Sequence, residues 1–295
     1  MIITNRHGLP QAFVDAVTKN LHEYVPGRYS VTEILNPVQE ILLTREHCNQ
    51  IQRDASEFIP QVFGSALHDY LARLDASGQS EQRLSVVVRD GFVLSGQYDL
   101  FDAETLTLTD YKTASVWKVV HEDYEDYRRQ GLMYAWLLHC AGKHVERCVF
   151  HIFLKDWSDA ESERHADYPP EGIVTYAFQV TASGLREIEQ FIHDRADALT
   201  SRTMLSCTAS ERWNTGDKFA AMKNGRKTAV RVCDSMAEAQ AVGGDYVDVR
   251  PGIDKKCNKY CLAAPWCTQH RAIVTADTTV ATVLDAQPSG AEKEN

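Results

Sequence analysis

Residues 83 to 112 read RLSVVVRDGFVLSGQYDLFDAETLTLTDYK and hold the densest structural signal in the chain. Two β-rich runs meet at Asp90-Gly91, a dipeptide that tolerates positive φ and predicts a hairpin. The turn DAET follows, and a third strand, LTLTDYK, comes after it. The stretch therefore predicts three consecutive strands, with Asp99 near the end of the second and Asp110 near the end of the third.

Helical patterns lie on both sides of these strands. Residues 55 to 75 carry apolar side chains at helical spacing, and a second amphipathic helix is predicted from about His121 to Cys140. A strand, CVFHIFL, returns from that helix, and residues 173 to 180 and 184 to 199 predict a last strand and helix. The order indicates an α/β layer with a mixed sheet, in which the helix from 121 crosses over between strands.

The predicted secondary-structure elements become shorter after about residue 200. Residues 1 to 200 hold the long elements, residues 201 to 275 hold short ones and a cysteine cluster, and residues 276 to 295 are small and polar, which predicts a flexible tail. The 295 residues contain no apolar run approaching the roughly 20 needed to cross a bilayer, and no export signal. We expect a cytoplasmic protein, in a bacterial host or a phage-infected cell.

Charge argues against broad attraction to nucleic acid, since the formal net charge is -10. The acid is concentrated in residues 156 to 171, whereas residues 212 to 231 carry six Lys or Arg side chains against Asp217 alone. A basic strip on an acidic body is one interpretation, and an ordinary solvated surface is the other.

The two carboxylates and Lys112 suggest phosphoryl chemistry. If the strands are adjacent, Asp99 and Asp110 meet at one edge of the sheet, and Lys112 shares a face with Asp110 because strand periodicity is two. Carboxylates on rigid strands suit Mg²⁺, which needs few protein ligands, and a neighbouring ammonium can orient or deprotonate water. Taken alone, an Asp-x-Lys triplet is more often a solvated strand end.

An ordered set of residues makes the triplet more specific. Gly64 and His68 lie one turn apart on the first helix, Gly96 precedes Asp99, and Gln130 and Tyr134 lie one turn apart on the second helix. Over roughly residues 30 to 155 the sequence resembles the RecB-like branch of the PD-(D/E)XK nuclease superfamily, which includes many phage exonucleases. The resemblance implies a restriction-endonuclease-like core with a catalytic site whose expected members are His68, Asp99, Asp110, Lys112, Gln130 and Tyr134.

The same resemblance assigns roles within this site. His68, Asp99 and Asp110 would ligate Mg²⁺ or Mn²⁺ together with the Tyr111 carbonyl, and Lys112 would be catalytic. Gln130 and Tyr134 would position DNA or the lysine. For His68 alone, a satisfied core histidine is the competing interpretation.

Three cysteines, Cys257, Cys261 and Cys267, crowd into eleven residues, which is typical of a metal site. Cys207 is the preferred fourth ligand, because the segment from it to the triplet resembles the tail of phage and prophage nucleases. Thiolate ligands suit Zn²⁺ or a 4Fe-4S cluster, and reduced cysteines without metal are the alternative. Rival fourth ligands are Cys48, Cys233 and His270.

These features predict a metal-dependent DNA nuclease, specifically an exonuclease in phage recombination or DNA end processing, with a small C-terminal cysteine-ligated module. The alternatives are an endonuclease of the CRISPR-adaptation or restriction type, and a catalytically silent DNA-binding protein that keeps the fold. Expected partners are DNA and, from the resemblance, a single-strand annealing protein; a homo-oligomer is possible, and no membrane association is expected.

Overall fold

The computed structural model describes residues 1–75 and 80–274. The chain divides into two compact units, Met1–Met204 and Leu205–Asn295. The predicted flexible tail, residues 276 to 295, lies outside the described residues. No helix among the described residues is long and apolar enough to span a membrane.

The first unit alternates strands and helices. Its strands are β1 (Ile2–Thr4), β2 (Arg28–Ser30), β3 (Gln52–Asp54), β4 (Ser80–Arg89), β5 (Phe92–Asp102), β6 (Thr107–Ala114), β7 (Arg147–Leu154) and β8 (Ile173–Gln179). Its helices are α1 (Gln11–Lys19), α2 (Val31–Ile34), α3 (Val38–Glu46), α4 (Ile59–Leu74), α5 (Val116–Val120), α6 (Glu125–Cys140), α7 (Asp159–Arg164) and α8 (Ala182–Thr200).

The central sheet runs in the order β2-β5-β6-β7-β8, and β4 pairs with β5 as well. The β2–β5 and β6–β7 pairs are parallel, whereas β4–β5, β5–β6 and β7–β8 are antiparallel. Parallel neighbours need a crossover, which α5 and α6 provide between β6 and β7. The mixed sheet flanked by helices is thus confirmed.

Helix α6 is the buried centre of the unit, since every residue from Gln130 to Leu138 is buried. It begins four residues later than the predicted start at His121. Glu122 adopts φ 49, a left-handed conformation that a helix cannot contain, so α5 and α6 are separate helices. At Gly131 an added Cβ would lie 3.1 Å from both Phe150 and Phe178, which explains why this turn carries glycine.

Helix α4 differs more from its prediction. Asp54 caps a short 3₁₀ helix, Ala55–Phe58, and the α-helix begins only at Ile59. The apolar face that the sequence assigns to the core is largely uncovered, because Phe63, Tyr70 and Leu74 are exposed by 62%, 62% and 65%. Amphipathic spacing predicted the helix correctly but not the burial of its apolar side.

The hairpin of β4 and β5 turns at Gly91, whose φ of 73 fits the predicted turn. Arg89 pairs with Phe92, but Val87 pairs with Val93, so a bulge between Val87 and Arg89 shifts the register by one residue. Beyond the bulge Gln82 pairs with Tyr98. A regular two-residue hairpin would have placed Gln82 opposite Asp99, and the bulge puts Glu81 there instead.

The second unit contains β9 (Lys218–Met222), β10 (Arg231–Cys233), α9 (Met236–Ala241), β11 (Tyr246–Arg250) and α10 (Lys255–Lys259). Its strands form an antiparallel sheet in the order β10-β9-β11. Asp254 is buried and accepts hydrogen bonds from Arg212 Nε, at 2.9 Å, and Asn214 Nδ2, at 2.6 Å. Arg212 is therefore committed to an internal ion pair, and Lys218 pairs with Asp234, so the basic segment is partly neutralised within its own unit.

Candidate active site

The site begins where β5 and β6 separate. Their register pairs Leu100 with Thr109, and its continuation sets Asp99 opposite Asp110. At this point the Tyr111 backbone N–H donates to Asp99 Oδ2 at 2.7 Å. The end of the ladder thus fixes one oxygen of Asp99 and brings two carboxylates to the same fork, as the sequence predicted.

Asp110 is buried to 3% exposure, and Lys112 lies on the same face of β6. The Lys112 ammonium forms an ion pair with Asp110 Oδ1, so this buried oxygen has a charged partner. Desolvation raises the pKa of Asp110, Lys112 opposes the rise, and Asp99 adds to it. Asp110 is therefore a buried acid that pairs with Lys112.

His68 approaches the fork from α4. Its Nδ1 lies 3.0 Å from Asp99 Oδ1, and this hydrogen bond, partly offset by desolvation, raises the pKa of the imidazole. Glu81 Oε1 lies 3.7 Å from the same nitrogen. One ligand atom each from His68, Glu81 and Asp99 lie within 4.8 Å of one another, the sole such His/Cys/Asp/Glu group in residues 1–75 and 80–274.

Gln130 and Tyr134 come together on α6, as the one-turn spacing predicted. Both are buried, and Gln130 Nε2 donates to Tyr134 Oη at 3.3 Å. Asp110 and Asp99 both contribute to raising the pKa of Tyr134, behind desolvation, which places its phenol in the electrostatic field of the fork. The ring also packs against Gly96, where an added Cβ would approach Tyr134 Cε1 to 2.6 Å.

Aromatic rings lie close to Lys112 and Tyr111 of β6. The Lys112 ammonium lies 5.9 Å from the ring centres of both Tyr127 and Phe150. The Tyr111 ring stacks on His151 at 6.0 Å and meets His68 edge-on at 6.4 Å. Lys112 thus has two aromatic neighbours, and the Tyr111 ring lies between two imidazoles.

The donor set fits a divalent cation. Carboxylate oxygens and one imidazole suit Mg²⁺ or Mn²⁺, and a cavity of about 30 Å³ is lined by His68, Glu81, Asp99 and Tyr111. Asp110 does not line this cavity, and its Oδ1 pairs with the Lys112 ammonium. Among the predicted ligands, His68 and Asp99 are in direct contact.

Glu81 is the site residue that the sequence interpretation missed. The sequence carries only a partial signal for it, because counting back from the turn at Asp90-Gly91 comes within one residue of the position opposite Asp99. Regular counting selects Gln82, and only knowledge of the bulge selects Glu81.

The cysteine set lies in the second unit, apart from the rival Cys48, which follows α3 in the first. The Gln269 amide bonds both the N–H and the carbonyl of Cys207, at 2.8 and 2.9 Å, and the His270 N–H donates to Cys267 Sγ at 3.3 Å. Cys257 and Cys261 flank the end of α10. The described cysteines do not form a group as tight as the one at His68, so their metal role stays a prediction.

No protein-family model matches the chain, and no curated protein matches its sequence. The crystal structure of SSO0001 is similar at 14% identity and a TM-score of 0.47, over 69% of this chain and 89% of that one. An alkaline exonuclease, LHK-Exo from Laribacter hongkongensis, is similar at 12% identity and a TM-score of 0.38, over 65% and 94%. A phage-related exonuclease from Haemophilus somnus 129PT is similar at 15% identity and a TM-score of 0.27, over 65% and 80%.

Two of these three structures are exonucleases. At these identities and TM-scores, the likeness assigns no activity to this chain.

Proposed function

We propose that the protein is a Mg²⁺- or Mn²⁺-dependent deoxyribonuclease that hydrolyses phosphodiester bonds at the fork of β5 and β6. The observation that carries the proposal is the fork itself, where His68 contacts Asp99 and the buried Asp110 carboxylate pairs with the Lys112 ammonium. Burying a charged pair costs desolvation free energy, and a protein retains such a cost where the pair serves a function.

Each residue has a task in this proposal. His68, Asp99, Asp110 and the Tyr111 carbonyl would hold the cation. When bound, a divalent cation supplies polarisation of a phosphoryl oxygen and a more acidic water. Lys112 orients the attacking water and offsets negative charge on the phosphate, while its ion pair with Asp110 and the neighbouring rings hold the ammonium in place. Gln130 and Tyr134 position the DNA strand or Lys112 from α6.

The test is cleavage of linear duplex DNA with Mg²⁺ or Mn²⁺, and without added metal. Asp110→Asn and Lys112→Ala are expected to lower the rate by about a hundredfold or more. Asp102→Asn removes a carboxylate from the same strand as Asp99, and Lys155→Ala removes an exposed lysine beyond β7; both controls should keep the wild-type rate. DNA binding by the wild type without metal-dependent cleavage would identify a silent DNA-binding protein instead.

Exonuclease action is the preferred mode, in phage recombination or end processing. Release of mononucleotides from linear DNA, with closed circular DNA left intact, supports it. Nicking of closed circles would favour an endonuclease of the CRISPR-adaptation or restriction type. A single-strand annealing protein remains the proposed partner, to be tested by co-purification from the native host, and size-exclusion chromatography tests the proposed homo-oligomer.

For the second unit we propose that Cys257, Cys261, Cys267 and Cys207 ligate a structural Zn²⁺ or a 4Fe-4S cluster. Support comes from the tight spacing of the triplet and from the hydrogen bonds that fix the Cys207 backbone. Anaerobic purification followed by metal analysis and a visible absorption spectrum separates the two metals. Protein that contains neither metal would contradict the proposal.

A further inference from the structure

Two carboxylates face His68 in the same way. Asp99 Oδ2 is held by the Tyr111 N–H, and its Oδ1 lies 3.0 Å from His68 Nδ1. Glu81 Oε2 is held by Gln97 Nε2, and its Oε1 lies 3.7 Å from the same nitrogen. Each carboxylate thus has one oxygen anchored by an N–H donor and the other directed at the imidazole.

The anchor of Glu81 has a fixed polarity. Arg83 can only donate hydrogen bonds, and its guanidinium donates to Gln97 Oε1 at 2.8 Å. The Gln97 amide therefore turns its NH₂ group toward Glu81. Arg83 and Gln97 are cross-strand partners in the hairpin, so the relay is built into the sheet.

The backbone at Glu81 is strained as well. Its φ is 55, in the left-handed region that a residue with a long side chain rarely adopts. Strain of this kind persists where the surroundings impose it and is concentrated at functional sites. Together with the bulge that sets Glu81 opposite Asp99, it indicates that the position of this carboxylate is determined by more than one constraint.

We propose that Glu81 is an additional protein ligand of the divalent cation, and that Gln97 and Arg83 are positioning residues that direct its Oε1 into the site. The inference rests on the proposed function. One ligand atom each from His68, Glu81 and Asp99 lie within 4.8 Å of one another, and these residues line a cavity of about 30 Å³ at the same fork. Glu81 adds a third carboxylate to those of Asp99 and Asp110 near His68. The added negative charge and oxygen ligands favour hard divalent cations at this site.

The test is calorimetric titration of the full-length protein with MnCl₂ alone, without DNA. Glu81→Gln keeps an acceptor oxygen for Gln97 and removes the charge, and it should raise the dissociation constant for Mn²⁺ by about 10- to 100-fold. Arg83→Ala keeps the Glu81 carboxylate but removes the guanidinium that orients the Gln97 amide toward it. This variant should raise the dissociation constant for Mn²⁺ by about tenfold. Glu104→Gln makes the same charge change in the exposed turn after β5 and should leave the constant unchanged.

The outcomes separate the two proposals. If the wild type takes up Mn²⁺ and Glu81→Gln binds it within about twofold of the wild-type constant, the assignment of Glu81 is overturned while the proposed function stands. If Asp99→Asn gives the same titration as the wild type, the wild type binds no Mn²⁺ at the fork, and the proposed function itself fails. A folded Arg83→Ala protein with wild-type affinity overturns the positioning role even where Glu81→Gln does not fold.

Discussion

Tyr111 donates its backbone N–H to the side chain of Asp99 at the point where β5 and β6 part. A main-chain donor that would otherwise continue a sheet ladder is thus used to orient a carboxylate. Because the donor belongs to the peptide that joins Asp110 to Tyr111, the orientation of Asp99 depends on the path of β6. A change in the path of β6 at the fork would therefore also change the orientation of the Asp99 carboxylate.

Asp110→Asn should stabilise the metal-free protein. Burial raises the pKa of Asp110 above its unfolded value, so the folded state binds more protons than the unfolded state between the two values, and stability falls as the pH rises through that range. We expect the variant to melt a few degrees higher than the wild type near neutral pH, with the difference shrinking toward pH 4. Thermal melts in a chelator across this range provide the measurement; equal midpoints at pH 7 would contradict the expectation.

Gly96→Ala should destabilise the first unit. Its Cβ would come within 2.6 Å of Tyr134 Cε1 and 2.8 Å of Val31 Cγ2, both in the buried core, so the cost is about 1 to 3 kcal/mol. Gly64→Ala is the matched control, because its Cβ would meet only Thr113 Oγ1, at 3.6 Å. Helix propensity favours alanine there by up to about 1 kcal/mol. Urea unfolding of both variants tests the pair, and similar losses in the two would refute the packing explanation.

Asp54→Asn should reduce stability in a pH-dependent manner. Hydrogen bonds from the Arg6 N–H, at 2.7 Å, and from the Ser56 hydroxyl, also at 2.7 Å, hold the pKa of Asp54 well below its usual range. A depressed folded-state pKa adds stability above the unfolded value, and that stability is lost as the pH falls through the folded value. The gap between wild type and variant should be full above about pH 4 and close below it. Melting curves from pH 2 to pH 7 follow this gap.

Polar substitution along the exposed side of α4 should cost little. Phe63→Ser and Leu74→Ser remove side chains that are more than 60% exposed, so each should change the free energy of unfolding by no more than about 0.5 kcal/mol. Leu137→Ala in α6, which is fully buried, should cost about 2 to 5 kcal/mol. Losses at Phe63 and Leu74 comparable to that at Leu137 would show that this side of α4 is covered in solution.

Local chemistry made much of the first unit predictable. Asp90-Gly91 specified the hairpin, strand periodicity placed Asp110 and Lys112 on one face, and helical spacing brought Gln130 to Tyr134. These features depend on a few neighbouring residues, and the structure contains all of them. The fork of Asp99 and Asp110 followed because the two strands are consecutive in the sequence.

The rest depended on geometry that local patterns do not encode. A bulge of one residue decides whether Glu81 or Gln82 faces Asp99, and nothing in the run of valines marks where it occurs. Amphipathic spacing reports that α4 has an apolar side, not that another element covers it. The break before α6 arises from a positive φ at Glu122, and glutamate is not a residue type that predicts a left-handed conformation.

The parallel pairing of β6 with β7 has a consequence for the timing of folding. β6 meets β5 through a short turn, but its other edge is completed only by β7, after the whole crossover through α5 and α6. During synthesis, Asp110 and Lys112 leave the ribosome well before residue 154, and until then their strand has one open edge. A nascent chain that ends within the crossover contains the site residues of β5 and β6 but lacks β7, the strand that pairs with β6. We therefore expect no activity at the fork until β7 has been synthesised and the sheet is complete.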